Sequence, residues 1–373
     1  MNSSPITCKG HPMKKMLALA TSVTLAGMFA AANPASAAVF VVAHPDDDIL
    51  MMGANLLTDI KGNYKTVIIV VTAGDAANGA APMAPGYTAD IATSFNTGTT
   101  PYYRARLNAR LNALATWIPA SYPRPWQITT EAFGPYFGGV PTYVEKATLG
   151  NVIEYHINLP DQFEGNQYTT IENLNNTSGA TGDYYAYDVT GKNVYNIHSL
   201  REIVRQIIKR NFPSEPNLVI NYQEPAWRNA SYQPVPRMDP SATDHIDHTA
   251  VGKMVKDAIA GVPAYYCMTE AIYYGYVQAA NLPSPNFPNA INDQRLGYEA
   301  LHQTLSTQGN IIPFHPGDAV SGGTWGTTQV YSPTITGQQR QRGAMDAFHT
   351  SFYGKQIWYG IPSTGPCNLG VNG

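Results

Sequence analysis

The stretch Val39-Phe40-Val41-Val42-Ala43-His44-Pro45-Asp46-Asp47-Asp48 constrains this chain more than any other. A short apolar run rich in β-branched residues reads as a buried strand, and a His-Pro-Asp-Asp-Asp corner stops it abruptly. Pro45 fixes its own φ and pushes His44 out of the helical region, so the turn is sharp. Ile49 to Leu57 has helix-forming character, which sets the three aspartates at a helix start. Strand, corner and helix in that order predict an α/β chain with the corner at a strand's carboxyl end, the edge where open α/β sheets gather ligands. Aspartates at such a position have a purely structural use, accepting from free N–H groups and facing the positive end of the helix dipole. The adjoining histidine adds chemistry. Imidazole and carboxylate are good zinc ligands, and a catalytic zinc takes three protein ligands and leaves one position for water.

A second dense cluster, Asp244-His245-Ile246-Asp247-His248, lies far downstream. Two histidines three apart fall on one face of a turn or helix start. Taken alone this is an exposed His-rich turn. With the first corner it completes a set of two imidazoles and one carboxylate, and leaves a further histidine and acids for proton transfer.

These two segments resemble the hallmarks of the LmbE-like, PIG-L-type family of zinc-dependent N-deacetylases. The family carries Ala-His-Pro-Asp-Asp-(Glu/Asp) after its first strand and a distal His-x-Asp-His; here they read Ala43 to Asp48 and His245 to His248. The resemblance implies that His44, Asp47 and His248 bind one Zn2+ per chain. It also implies that Asp46 is the general base and that a protonated His245 contacts the oxyanion of the tetrahedral intermediate. Asp48 stands where the family more usually has Glu. Leu159-Pro160-Asp161 is similar to a family segment beside the site, so Asp161 is expected to meet substrate. The implied activity is removal of an N-acetyl group from an amino sugar or an N-acetylglucosamine-containing glycoconjugate. An amidase acting on a non-sugar conjugate, and a secreted sugar-binding protein with an inactive metal centre, are the alternatives.

The rest of the chain supports an α/β reading: a Rossmann-like, mostly parallel sheet with flanking helices, long loops over the carboxyl-end edge and a loop-rich C-terminal extension. Tyr64 to Thr72 is a second buried strand and Asn151 to Leu159 a third, with Pro216 to Asn221 the next core strand and Glu270 to Val277 a late one. Tyr103 to Trp117, His198 to Arg210 and Arg295 to Thr307 have helical spacing, and a further helix is expected near Gln338 to Phe352. In the first of these, Leu107, Leu111 and Leu114 share one side and Arg104, Arg106 and Arg110 lie on others; where the family often has a glutamate, Asn108 and Ala109 stand. Asp75 ends the second strand on the His44 edge, as a ligand-orienting or turn-forming residue. Arg228 can hold an anionic group of a substrate, and Asp244 or Asp247 is suited to orient a histidine. His156, in mid-strand, reads as structural.

Lys14-Lys15, an apolar run from Met16 to Ala31 and Ala35-Ser36-Ala37 form a basic, apolar and cleavable export signal. Cleavage after Ala37 is expected, leaving one domain over 38–373 with 262–373 its less regular part, in the periplasm or outside the cell. No later stretch is apolar enough for a membrane span. A net charge of −3 gives no electrostatic footprint for nucleic acid. Cys267 and Cys367 are free to bridge in an oxidising compartment or to remain separate thiols.

Overall fold

The first strand, β1 (Ala37–Val42), is buried along its whole length in the middle of an eight-stranded sheet. The computed structural model describes residues 37–74, 102–161, 170–176, 184–213, 218–228, 233–235, 244–262, 268–275, 285–307, 353–356 and 358–361. On one side β1 pairs in parallel with β2 (Lys65–Thr72), and beyond it lies parallel β5 (Val152–Leu159). On the other side come parallel β8 (Leu218–Gln223) and β9 (Met268–Tyr273). Antiparallel strands close both ends: β10 (Trp358–Ile361) against β9, and the hairpin of β3 (Gln127–Phe137) and β4 (Val140–Leu149) against β5. A two-stranded ribbon, β6 (Ala186–Tyr187) with β7 (Val194–Tyr195), stands apart from this sheet.

The apolar runs lack alternation because both sheet faces are covered. Val39 and Val41 point into one core with Leu200, Ile203, Val251 and Met254. These come from α5 (Ile197–Asn211) and α6 (Ile246–Ile259), and Ile171 and Leu174 of α4 (Thr170–Asn176) join them. Phe40 and Val42 enter the opposite core with Leu56, Ile60, Ala105, Ala109 and Leu301. The helices there are α1 (Asp47–Met51), α2 (Gly53–Lys61), α3 (Tyr102–Ala115) and α7 (Ile291–Thr307). At the α1–α2 break the Gln294 side chain donates to Ile49 O at 2.7 Å and Leu50 O at 3.0 Å, carbonyls that an unbroken helix would satisfy itself. None of the described helices is long and apolar enough to cross a membrane.

Two expectations change. The strand ending in Leu-Pro-Asp is the fifth in the chain, because the β3–β4 hairpin precedes it. This hairpin has no clear apolar stripe: β3 is the sheet's edge and most of its residues are exposed, so little hydrophobic patterning marked it. The last helix of the described chain begins at Ile291, before Arg295. Residues 1–36, Asp75, Cys267, Cys367 and the helix expected near Gln338 to Phe352 lie outside the described residues. Ala37 itself opens β1, paired with Lys65 and Leu218.

Candidate metal centre

Two elements meet at the carboxyl ends of the parallel strands. The corner following β1 supplies His44 to Asp48, and the first turn of α6 supplies His245 to His248. Helix α6 approaches the sheet closely. A Cβ at Gly252 would lie 2.2 Å from Gln223 O at the end of β8, so only glycine allows this contact. Gln223 then links the two parts. Its Oε1 accepts from Ala43 N–H at 3.1 Å and its Nε2 donates to Asp47 Oδ2 at 3.0 Å.

The structure brings His44, Asp47 and His248 together. Asp47 is fully buried; its Oδ2 accepts from His44 N–H at 2.7 Å and lies 3.3 Å from His44 Nδ1. Its Oδ1 is 3.1 Å from His248 Nε2. Asp244 engages the other nitrogen of His248 at 2.7 Å, and Asp247 Oδ2 lies 3.3 Å from His44 Nε2. Each imidazole thus has an acid that fixes its orientation, the usual arrangement around metal-binding histidines. His245 caps α6: its Nδ1 accepts from Asp247 N–H at 3.2 Å, which leaves Nε2 as the nitrogen available beyond the helix. Its ring meets that of His44 edge-on at 4.7 Å.

Asp161 arrives through a distortion of β5. Asn158 has φ 59°, and the β2–β5 register shifts between Val70 and Thr72. A bulge of this kind re-aims the strand end, and Asp161 Oδ2 comes to 3.4 Å from His44 Nε2. Asp46 stands at the rim, its Oδ1 held by Arg106 Nη2 at 2.7 Å. Arg106 also donates to Gly74 O at 2.6 Å, and a Cβ on Gly74, where φ is +55°, would collide with that guanidinium. Arg228 pairs with Glu224 at 3.5 Å and lies over the Tyr274 ring.

The electrostatics follow from burial and these neighbours. Burial opposes charge on Asp47, yet His248 and His44 hold its carboxyl well below the usual range. Burial likewise works against protonation of His44 and His248. Asp47 and Asp161 nevertheless raise His44 well above its ordinary value, and Asp47 with Asp244 raises His248 to about 9. Burial and the Asp161 carboxylate push Asp247 up to about 7, whereas Asp161, despite its burial, is lowered by His44. His245 falls to about 3 through burial and the neighbouring His44. Burial and the charge of His44 thus oppose the protonated state expected of His245, whose Nδ1 is already engaged as an acceptor by Asp247 N–H.

The donor set suits a cation. The ligand atoms of His44, His245 and His248 lie within 4.8 Å of one another, as do those of His44, Asp161, His245 and Asp247. Asp247 Oδ1 is buried without a hydrogen-bond partner among the described residues. Imidazole nitrogens beside carboxylate oxygens are ligands that zinc accepts, and the cluster could bind a metal; Asp47 is in neither of these two sets and instead lies between His44 and His248. Gln223, Arg106 and Arg110 were not singled out from sequence as parts of this region. Nothing local marks them, since each acts on a partner distant along the chain.

Residues 39–94 match the family model described as PIG-L: GlcNAc-PI de-N-acetylase. No curated protein matches the sequence. Among solved structures the chain is similar to the N,N'-diacetylchitobiose deacetylase from Pyrococcus horikoshii, with 12% identity over 75% of this chain and 72% of that one and a TM-score of 0.37. The A40926 pseudoaglycone deacetylase Dbv21 matches with 13% identity, 73% and 83% coverage and a TM-score of 0.34. The conserved protein TT1542 from Thermus thermophilus matches with 14% identity, 72% and 80% coverage and a TM-score of 0.34.

Proposed function

We propose that this chain, which is of the PIG-L, LmbE-like type over residues 39–94, is a zinc-dependent N-deacetylase. Its substrate is an amino sugar or a glycoconjugate containing N-acetylglucosamine. One observation carries the reading: the His-Pro-Asp-Asp corner after β1 and the His-x-Asp-His turn of α6 converge, with Asp47 within 3.3 Å of both His44 and His248. A bound Zn2+, one per chain, would be held by His44, Asp47 and His248, and would supply Lewis acidity and a lowered pKa for a water at the site.

The chain's own residues divide the remaining work. Asp46, with Oδ1 taken up by Arg106, accepts the proton of the attacking water on its other oxygen. His245 donates Nε2–H to the carbonyl oxygen as negative charge develops there; a neutral donor suffices, and its place as N-cap holds the ring in position beforehand. Asp244 and Asp247 keep the His248 and His44 rings aimed. Asp161 and Arg228 border the substrate side. The proton on Asp46 then passes to the departing amine, giving acetate and a free amino sugar. The amino-terminal export signal assigns this activity to the periplasm or the exterior.

The test is acetate release over a panel of N-acetylated sugars, peptides and acylated amines, with and without a chelator. Release from sugars, lost on chelation and restored by zinc, is the expected result. Protein that carries no zinc, with an Asp46→Asn variant fully active, would overturn the reading.

A further inference from the structure

Arg110 lies on α3 and is completely buried. Its Nη1 donates to Pro45 O at 2.7 Å and to Asp48 Oδ1 at 2.6 Å, its Nη2 donates to Asp48 Oδ2 at 2.6 Å, and its Nε donates to Glu154 Oε1 at 2.9 Å. Pro45 directly follows His44, and Asp48 directly follows Asp47. One planar guanidinium thus grips the residue after each of the two ligands that the corner contributes. The anchor extends further. His156 bridges Glu154, at 2.5 Å, and Glu145, at 3.0 Å, and Glu145 forms a two-bonded pair with Arg104 at 2.7 and 2.8 Å. The chain of contacts ties the corner to β5, to β4 and back to the start of α3.

We infer that Arg110 is a positioning residue for the metal centre: by clamping Pro45 O and both oxygens of Asp48, it sets the spacing of His44 and Asp47 that a cation requires. The inference rests on the metal-site reading above. Within the corner, Asp47 Oδ2 accepts from His44 N–H at 2.7 Å, but the residues that follow each ligand have little support of their own. Pro45 has no N–H to donate, Asp46 as N-cap of α1 makes no side-chain capping bond, and α1 is five residues long. A lysine cannot reproduce the grip, since a single ammonium lacks the rigid fork that meets a carboxylate with two parallel bonds. Outer partners of metal ligands commonly change metal affinity by about 10–100-fold when altered.

The experiment compares zinc affinity and the cobalt(II) absorption spectrum of the wild type with those of three variants. Arg110→Lys breaks the fork, and the pair Asp48→Asn with Arg110→Met removes the clamp and its charge together, so that no unpaired carboxylate is left at residue 48. Glu154→Gln leaves the grip on the corner intact. The first two are expected to bind zinc about 10–100-fold more weakly and to show an altered cobalt spectrum; Glu154→Gln is expected to stay near wild type in both. Wild-type affinity and spectrum in the first two variants, even with a lowered melting temperature of the metal-free protein, would make Arg110 a purely structural residue and overturn the inference. A wild type that binds no zinc would instead remove the metal-site reading and this inference with it.

Discussion

Two buried clusters of histidine and acid flank the same corner, and they are built differently. In the anchor, three carboxylates from Asp48, Glu154 and Glu145 are matched by Arg110, Arg104 and His156, and both nitrogens of His156 are used by acids. In the candidate metal centre the acids Asp47, Asp161, Asp244 and Asp247 are set against imidazoles. There both nitrogens of His44 and of His248 also face acids, but one of each, His44 Nδ1 and His248 Nε2, faces the same carboxylate, Asp47. The comparison separates a histidine that completes an internal charge balance from histidines arranged to receive something. Burial alone does not distinguish them, since His156 and His248 are both fully enclosed. What the acids themselves meet does: Glu154 and Glu145 are also paired with Arg110 and Arg104, whereas Asp47 meets the two imidazoles and Gln223.

The difference can be broken most severely at His248. His248→Ala is expected to remove both bound zinc and acetate release, read by metal analysis and a turnover assay; retained zinc would show that the two clusters are not so distinct. Asp46→Asn sharpens the same contrast inside the site: zinc stays, while kcat falls by about 10²–10⁴-fold for loss of a general base. His245→Asn is subtler, because asparagine is itself a good N-cap. Unfolding stability should stay close to wild type while turnover drops by about 10²–10³-fold, the usual cost of one oxyanion donor. A proportionate loss of stability and activity would assign His245 to the helix alone.

His156→Phe should behave in the opposite way to these substitutions. It leaves Glu154 and Glu145 short of a partner inside the protein, so urea unfolding should register a loss of about 3–5 kcal/mol, with zinc affinity changed far less. The pH dependence supplies the smallest effect and carries a definite sign. Burial disfavours charge on His156, but Glu145 and Glu154 outweigh it and raise its pKa above the ordinary value. The folded protein therefore holds this proton more tightly than the unfolded chain. The contribution is complete below about pH 6.5, the unfolded value, and is lost as pH rises through the folded one. Glu145 acts at the other end: although burial favours its neutral form, His156 and Arg104 lower it to about 2. Its contribution is present above the unfolded carboxylate range and fades as pH falls toward that value. Unfolding free energies of wild type and His156→Phe should converge as pH rises above about 7, past the ordinary histidine value; a constant difference would show that His156 is not charged in the fold.

Local sequence determined a good deal. An unbroken β-branched run followed by His-Pro-Asp-Asp-Asp defines a buried strand, an abrupt stop and an acidic helix start, because each property depends on neighbouring residues; β1 and α1 follow accordingly. Helical spacing likewise marked α5, whose apolar positions Leu200, Ile203, Val204, Ile207 and Ile208 are all buried. Arg110 shows where this legibility ended. Three residues from Leu107 and four from Leu114, it borders the leucine side of α3, yet no local pattern tells which charges meet it there, since its partners Asp48 and Glu154 lie 62 and 44 residues away in sequence. Gln223 is 176 residues from Asp47, and no local pattern announces a bond of that span. The environment that opposes protonation of His245 is likewise tertiary: burial first, then the neighbouring His44. Chemistry carried by adjacent residues is written in the chain; which charges meet, and which acid each imidazole faces, emerges only when strands and helices from distant parts of the sequence close on one another.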